Sequence, residues 1–307
     1  MGPLRLATRG SPLALRQAEL VAAALSDAHP GVEVVPVVVH TMGDRRADVP
    51  IDRLGGQGMF VKEVQAAVAD GRADVAVHSA KDLPALTPEG LVVAAVPPRA
   101  DPRDALVGRQ LEDLSAGATV ATGSARRRAQ LANVRPDLTF VELRGNMATR
   151  LRRAEDGSVD AVVVAVAAMD RLGWADRVTE VLPVSVMLPQ VGQGALALEC
   201  RADDGATAAL LAPLDDPCGH RTLSAERAFL AEAGGSCTVP VGAWAEGVGE
   251  GLRLRAMVAS GDGRVVLRAE RTGADPVALG RETARHLMDG CGGSSICGWE
   301  PAEERVE

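Results

Sequence analysis

Through the first two thirds of the chain, short apolar runs of Val, Ala and Leu alternate with stretches in which apolar positions recur every three or four residues. The short runs read as strands: Leu4 to Thr8, Val32 to His40, Ala73 to Val77, Leu91 to Val96, Thr119 to Ala121, Leu138 to Leu143, Val159 to Val164 and Ala195 to Glu199. Helical patterns fill the intervals, which is the order expected of βαβ units on a largely parallel sheet. "ATRGSPLALRQAEL" is a strand end followed by a helix start, with Ser11 as N-cap and Pro12 at the first helical position. "ATGSARRRAQLA" repeats that design from Ala121, with Ser124 as the cap. After "DDPCGH" the period changes to two with Gly-rich turns, which predicts an antiparallel meander, and Asp275 to Asp289 reads as a closing helix.

Two breaks, "PPRADP" at Pro97 and "PQVGQG" at Pro189, predict a chain that leaves one lobe, builds a second and returns. The expected fold is α/β: two lobes with a cleft between them, plus a small C-terminal α+β domain. The expected boundaries are 1–98 with 194–214 for the first lobe, 99–193 for the second and 215–307 for the last domain.

A chain of 307 residues can bury cores for two or three domains. Its longest apolar run, "AVVVAVAAM", falls far short of the roughly 20 residues of a membrane helix. Arg5 and Arg9 interrupt what would have to be the apolar core of a signal peptide, so the expected location is the cytoplasm. Five cysteines without a CxxC pair suggest neither a disulfide framework nor a zinc site, and the five histidines form no HExxH motif. A formal charge of −8 with three Phe, three Trp and no Tyr argues against a nucleic-acid surface. No coiled coil or long apolar edge stands out, and a monomer is expected.

The arginines are unevenly placed, and this changes the picture. Arg126, Arg127, Arg128, Arg135, Arg144, Arg150, Arg152 and Arg153 fall between Ala121 and Glu155, against Asp137, Glu142 and Glu155. Three strand-to-helix turns carry Arg with Ser, Thr or Asn: Arg9 to Ser11, Thr122 to Arg127, and "LRGNMATR" with Arg144, Asn146, Thr149 and Arg150. Free N–H groups at a helix start bind anions, and a neighbouring Arg adds bidentate bonds. Three such turns point to a ligand with several carboxylates or phosphates. No GxxxxGK[ST] or GxGxxG motif in its usual setting accompanies them. Arg128, Arg152 and Arg153 read as a solvated helix face. In "ADVAVHSAKDLP" an apolar strand ends in Lys81 and Asp82, either a solvated turn or part of a site at a strand end. Cys237 in "GGSCTVP" reads by itself as an exposed thiol.

"LATRGSPLAL", "GGQGMFVKE", "ADVAVHSAKDLP", "ATGSARRRAQL", "LRGNMATRL", "VGQGALALECR" and "GGSCTVPVG", in this order, resemble the hydroxymethylbilane synthase (porphobilinogen deaminase) family from Leu6 to Gly242. The resemblance implies a transferase that condenses four porphobilinogen molecules, with loss of ammonia, into the linear tetrapyrrole hydroxymethylbilane. It implies a dipyrromethane cofactor held through a thioether to Cys237, and Asp82 as catalytic carboxylate. It further implies that Lys81, Asp82, Thr122, Ser124, Arg126, Arg127, Arg144 and Gly145 contact the cofactor. Arg9, Ser11, Phe60, Arg144, Arg150, Arg171 and Gln193 would contact substrate, and Asp44 in "TMGD" would order a loop. Gln57 departs from the Lys found in many members, which removes one cation unless a neighbour such as Arg53 replaces it. The rival reading is a non-catalytic two-lobed protein that binds a polycarboxylate.

Overall fold

The computed structural model describes residues 2–40, 61–234 and 240–296. The chain divides into two compact units, Met1–Ala100 with Gly194–His220, and Asp101–Gln193 with Arg221–Glu307.

In the first unit, β1 (Leu4–Arg9), β2 (Val34–Val39), β3 (Val75–Ser79), β4 (Leu91–Ala95) and β10 (Leu196–Arg201) form one sheet in the order β2-β1-β3-β10-β4. β1 runs parallel to β2 and β3, whereas β10 is antiparallel to both β3 and β4. Helix α1 (Pro12–Ala28) covers one face, burying Val21 and Leu25 against Leu4, Leu6, Val75, Val77, Leu196 and Leu198. Helix α2 (Lys62–Ala69) covers the other, burying Val64, Ala67 and Val68 against Ala7 and Ala76. The two-residue alternation of each strand thus serves two helices at once.

The second unit repeats this plan. β5 (Asp104–Gly108), β6 (Thr119–Ala121), β7 (Thr139–Val141), β8 (Ala161–Ala165) and β9 (Glu180–Val181) form a sheet in the order β7-β6-β8-β5-β9. β6 is parallel to β7 and β8, and β5 is antiparallel to β8 and β9. Helix α3 (Ala125–Val134) buries Leu131 on one face, while α4 (Met147–Glu155) and α5 (Val166–Arg171) bury Leu151 and Met169 on the other. Each sheet is therefore largely parallel, four strands running one way, with a single reversed strand that makes it mixed. In each the reversed strand is the one that directly follows a crossing between units: β5 after Ala100 and β10 after Gln193. A strand entered straight from a crossing, without a βα connection, is free to run against its neighbours.

Helix α6 (Gly205–Leu211) closes the first unit. The second unit continues with helix α7 (Pro217–Glu232), which begins at the boundary, and the meander β11 (Val241–Val248), β12 (Gly251–Ala259) and β13 (Val266–Gly273). Helix α8 (Pro276–Arg285) then lies against α7, with Asp275 as its N-cap. Phe229 and Ala225 of α7 and Leu279 and Ala284 of α8 fill the core under the meander. Gly280 is required where these helices meet, since a Cβ there would stand 2.4 Å from the Ala225 carbonyl oxygen. Among the described residues no helix is long and apolar enough to cross a membrane.

Candidate active site

The parallel strands of each sheet end on one edge, and the turns that leave this edge carry most of the candidate residues, where ligands of open α/β sheets are held. In the first unit β1 ends at Arg9, and Ser11 caps α1 by accepting a hydrogen bond from the Ala14 amide at 3.3 Å. Its neighbour β3 ends at Ser79 and passes into a single 3-10 turn, Ala80–Asp82. Lys81 and Asp82 are half-buried there. The turn is closed by the Leu83 amide on the Ala80 carbonyl, and the Ala80 amide is held by the Ala195 carbonyl beside β10. The Asp82 carboxylate makes no hydrogen bond or ion pair among the described residues.

In the second unit the ends of β6 and β7 are adjacent through the pair Ala121 and Val141. Thr122 is buried, and its hydroxyl accepts from the Ser124 amide at 3.2 Å. Ser124 caps α3 through the Arg127 amide, and Asn146 caps α4 through the Thr149 amide. These three caps are as the local sequence predicts. Between them Gly145 takes φ 91°, a left-handed conformation that favours glycine. Its carbonyl accepts from Arg150 Nε at 2.9 Å, and Arg144 pairs with Glu142 at 3.0 Å. Arg171, at the end of α5, is held at about 10 by burial, against which the Asp170 charge acts.

The consecutive arginines of α3 go different ways because a helix turns about 100° per residue. Arg128 is exposed, whereas Arg126 and Arg127 are buried on both sides of Asp104, the first residue of β5. Arg127 gives Nε and Nη2 to Asp104 Oδ1 at 2.9 and 2.7 Å and Nη1 to the Val163 carbonyl at 2.9 Å. Arg126 Nη1 donates to the Leu188 carbonyl at 2.6 Å and meets Asp104 Oδ2 at 2.8 Å as an ion pair. Its Nε and Nη2 are buried without an acceptor among the described residues. Gln193, fully buried, donates to the Pro102 carbonyl at 2.7 Å and to Asp104 at 3.0 Å. Burial alone would push the Asp104 carboxyl up, but the charges of Arg126 and Arg127 and the hydrogen bonds from Arg126 and Gln193 hold it at about 2.

Asp104, two residues beyond the break "PPRADP", is not among the candidates that the sequence singles out. Its only local signal was an isolated acid at the head of the apolar run Ala-Leu-Val. A second buried polar group, His78 with Glu199 and Gln65, was missed in the same way. Phe60, Cys237, Asp44, Arg53 and Gln57 lie outside the described residues.

In each unit, then, the strand ends of an α/β sheet pass into turns that carry arginines and hydroxyls, and in the first unit one such turn also carries a half-buried carboxylate. Comparison with known proteins makes the class specific. Residues 4–209 match the family model described as porphobilinogen deaminase, dipyromethane cofactor binding domain, and residues 221–289 match its C-terminal domain. A porphobilinogen deaminase of Syntrophus aciditrophicus (strain SB) is 48% identical over 294 residues, 94% of this chain and 96% of the relative. One of Roseiflexus sp. (strain RS-1) is 48% identical over 299 residues, 96% and 99% of the two chains. Among solved structures, a probable amino-acid ABC transporter extracellular-binding protein of Bacillus subtilis aligns with a TM-score of 0.41 at 8% identity, covering 70% of this chain and 90% of that one. The VFT2 domain of Bordetella pertussis BvgS aligns with a TM-score of 0.39 at 18% identity, covering 68% and 84%. The chain belongs to the porphobilinogen deaminase (hydroxymethylbilane synthase) family. The family reaction is a transferase reaction of tetrapyrrole biosynthesis carried out on a dipyrromethane cofactor, and the non-catalytic alternative is not favoured.

Proposed function

We propose that Asp82 is the catalytic carboxylate of this reaction and that the strand-end turns of both units take the acid groups of cofactor and substrate. The observation that carries the reading is Asp82 itself, a half-buried carboxylate at the end of an internal strand, with no bond or ion pair among the described residues. Loss of ammonia from the aminomethyl group of porphobilinogen leaves a methylenepyrrolenine cation whose charge spreads into the ring. A carboxylate that accepts the pyrrole N–H stabilises that charge as it develops, by on the order of 4 kcal/mol at about 4 Å and an effective dielectric near 20. The gain is larger in the transition state than in the bound substrate, so it lowers the barrier selectively. Asp82 is also the base for the proton lost when the new carbon–carbon bond has formed.

Each pyrrole carries an acetate and a propionate, so a dipyrromethane brings four carboxylates that need partners. The residues present fit such a group. Arg126 holds two buried N–H groups without an acceptor among the described residues, which is costly unless an anion takes them. Thr122, Ser124, Arg144, the Gly145 amide and Lys81 complete the cofactor contacts in this reading, with Cys237 as the thioether anchor. When bound, the dipyrromethane supplies the pyrrole carbon from which the chain grows. Arg9, Ser11, Phe60, Arg150, Arg171 and Gln193 are assigned to substrate, as is Arg144. Arg127 has its donors committed to Asp104 and Val163, so its part is to hold Asp104 beside Arg126.

The same reading gives a lobe of residues 1–98 and 194–214, a second of 99–193 and a third domain of 215–307. It makes the protein a cytoplasmic monomer with porphobilinogen as its small-molecule partner and no nucleic acid or membrane involved.

Incubation of the purified protein with porphobilinogen tests the activity. The expected result is one ammonia released per porphobilinogen consumed, and a linear product with the mass of four porphobilinogens less four ammonia plus one water. Binding without ammonia release would return the non-catalytic reading.

A further inference from the structure

The turn that carries Asp82 is short and continues directly from the end of β3. It is one 3-10 turn of three residues, Ser79 gives it no side-chain cap, and Asp82 makes no bond to anchor it among the described residues. The end of β3 therefore helps to set its position, and that strand end is held on both faces by buried polar side chains. On the α1 face, Gln17, 3% exposed, donates to the Ser79 hydroxyl at 2.9 Å. On the α2 face, Glu199 of β10 is fully buried beside His78 of β3, with His78 Nε2 3.0 Å from Glu199 Oε2. Gln65 of α2 donates to the same oxygen at 2.9 Å.

A nitrogen and an oxygen this close in a dry interior attract only as donor and acceptor. The contact is an ion-pair distance without the alignment of a full hydrogen bond. Such a group adds little net stability compared with apolar residues of the same shape, but it fixes one arrangement of the elements that share it. Here those elements are the strand that delivers Asp82, the antiparallel strand that holds the Ala80 amide in place, and helix α2. Side chains that hold a reacting group to within a fraction of an ångström act on turnover more than on affinity.

We propose that Glu199, acting through His78, is a positioning residue for Asp82 in the family reaction. The inference rests on the reading of Asp82 as catalytic, and a double-mutant cycle separates the two. Glu199→Gln, assayed in protein that its unfolding transition shows to be folded, is expected to lower kcat about tenfold, with KM within about twofold. In the Asp82→Asn background the same change should cost less than about twofold, because the group being positioned has already lost its function. An equal loss in both backgrounds, or a loss confined to KM, overturns the proposal while leaving Asp82 in its role. A near-wild-type kcat for Asp82→Asn alone removes the reading of Asp82, and the inference falls with it.

His78 provides a second route should the Glu199 variant fail to fold. His78→Gln, whose amide reaches the position of the imidazole Nε2, should keep kcat within about threefold, and His78→Leu should lose what Glu199→Gln loses. Equal losses in the two His78 variants would contradict the role.

Discussion

Replacing Asp82 with asparagine is expected to leave a folded protein whose turnover of porphobilinogen falls by about two to three orders of magnitude, the size of effect seen when one preorganised electrostatic group is lost. The change is nearly isosteric. Because the carboxylate has no hydrogen bond or ion pair among the described residues, the substitution breaks no such contact there and the unfolding free energy should stay within about 0.5 kcal/mol of the parent. In the role proposed for Asp82, what disappears is the negative charge facing a cation that exists only along the reaction path. The loss should therefore sit in kcat, with KM for porphobilinogen within a few-fold. Steady-state assays of ammonia release check this directly. Unaltered turnover would mean that charge stabilisation comes from elsewhere.

The second large effect concerns stability. Asp104→Asn is expected to destabilise the second unit by about 3 to 5 kcal/mol, because Arg126 and Arg127 would be left as buried cations without their counter-charge. Trp174 and Trp244 lie in this unit and the residues of the first unit include no tryptophan, so fluorescence-monitored urea unfolding reports on the relevant part. Turnover should fall too, since Arg126 and Gln193 are both placed by this carboxylate. The pH dependence has a definite sign. A carboxyl held at about 2 when folded, against 3.8 as its ordinary value, contributes its stability fully above pH 4 and loses it as the pH falls toward 2. That contribution is on the order of 2 kcal/mol. Asp74 and Asp101 are also held low, Asp74 mainly by the hydrogen bond from Arg5, and Asp101 by its bonds from Arg103 working against burial. The parent should therefore lose stability between pH 4 and 2, and Asp104→Asn should lose less over the same interval. Parallel curves for the two proteins would contradict the buried pair.

Much of the architecture was legible because its determinants are local. Ser11, Ser124 and Asn146 each sit where a strand gives way to a helix, and each caps its helix as a short polar side chain at that position must. The meander and its closing helix were legible for the same reason, since a two-residue period with Gly turns admits few other folds. The reversed strands were not. β5 is five residues long and follows a proline-rich break, and nothing within it says whether it runs with or against β8. The arginine series shows a further limit. Composition marked the segment as basic, but which members turn inward depends on Asp104, more than twenty residues away and in another element. The same holds for Glu199, which in "LALECR" looks like the polar end of a strand and is fully buried against His78. The capped strand-to-helix turns could be found from the sequence, whereas the buried charges packed beside them required the fold.

The measurement that bears most directly on the central claim is the intact mass of the purified, denatured protein beside its Cys237→Ser variant. The account predicts a covalent excess equal to two deaminated porphobilinogen units on the parent, present as isolated or after addition of porphobilinogen, and none on the variant. An unmodified parent after porphobilinogen has been added, or the same excess on both proteins, would contradict it.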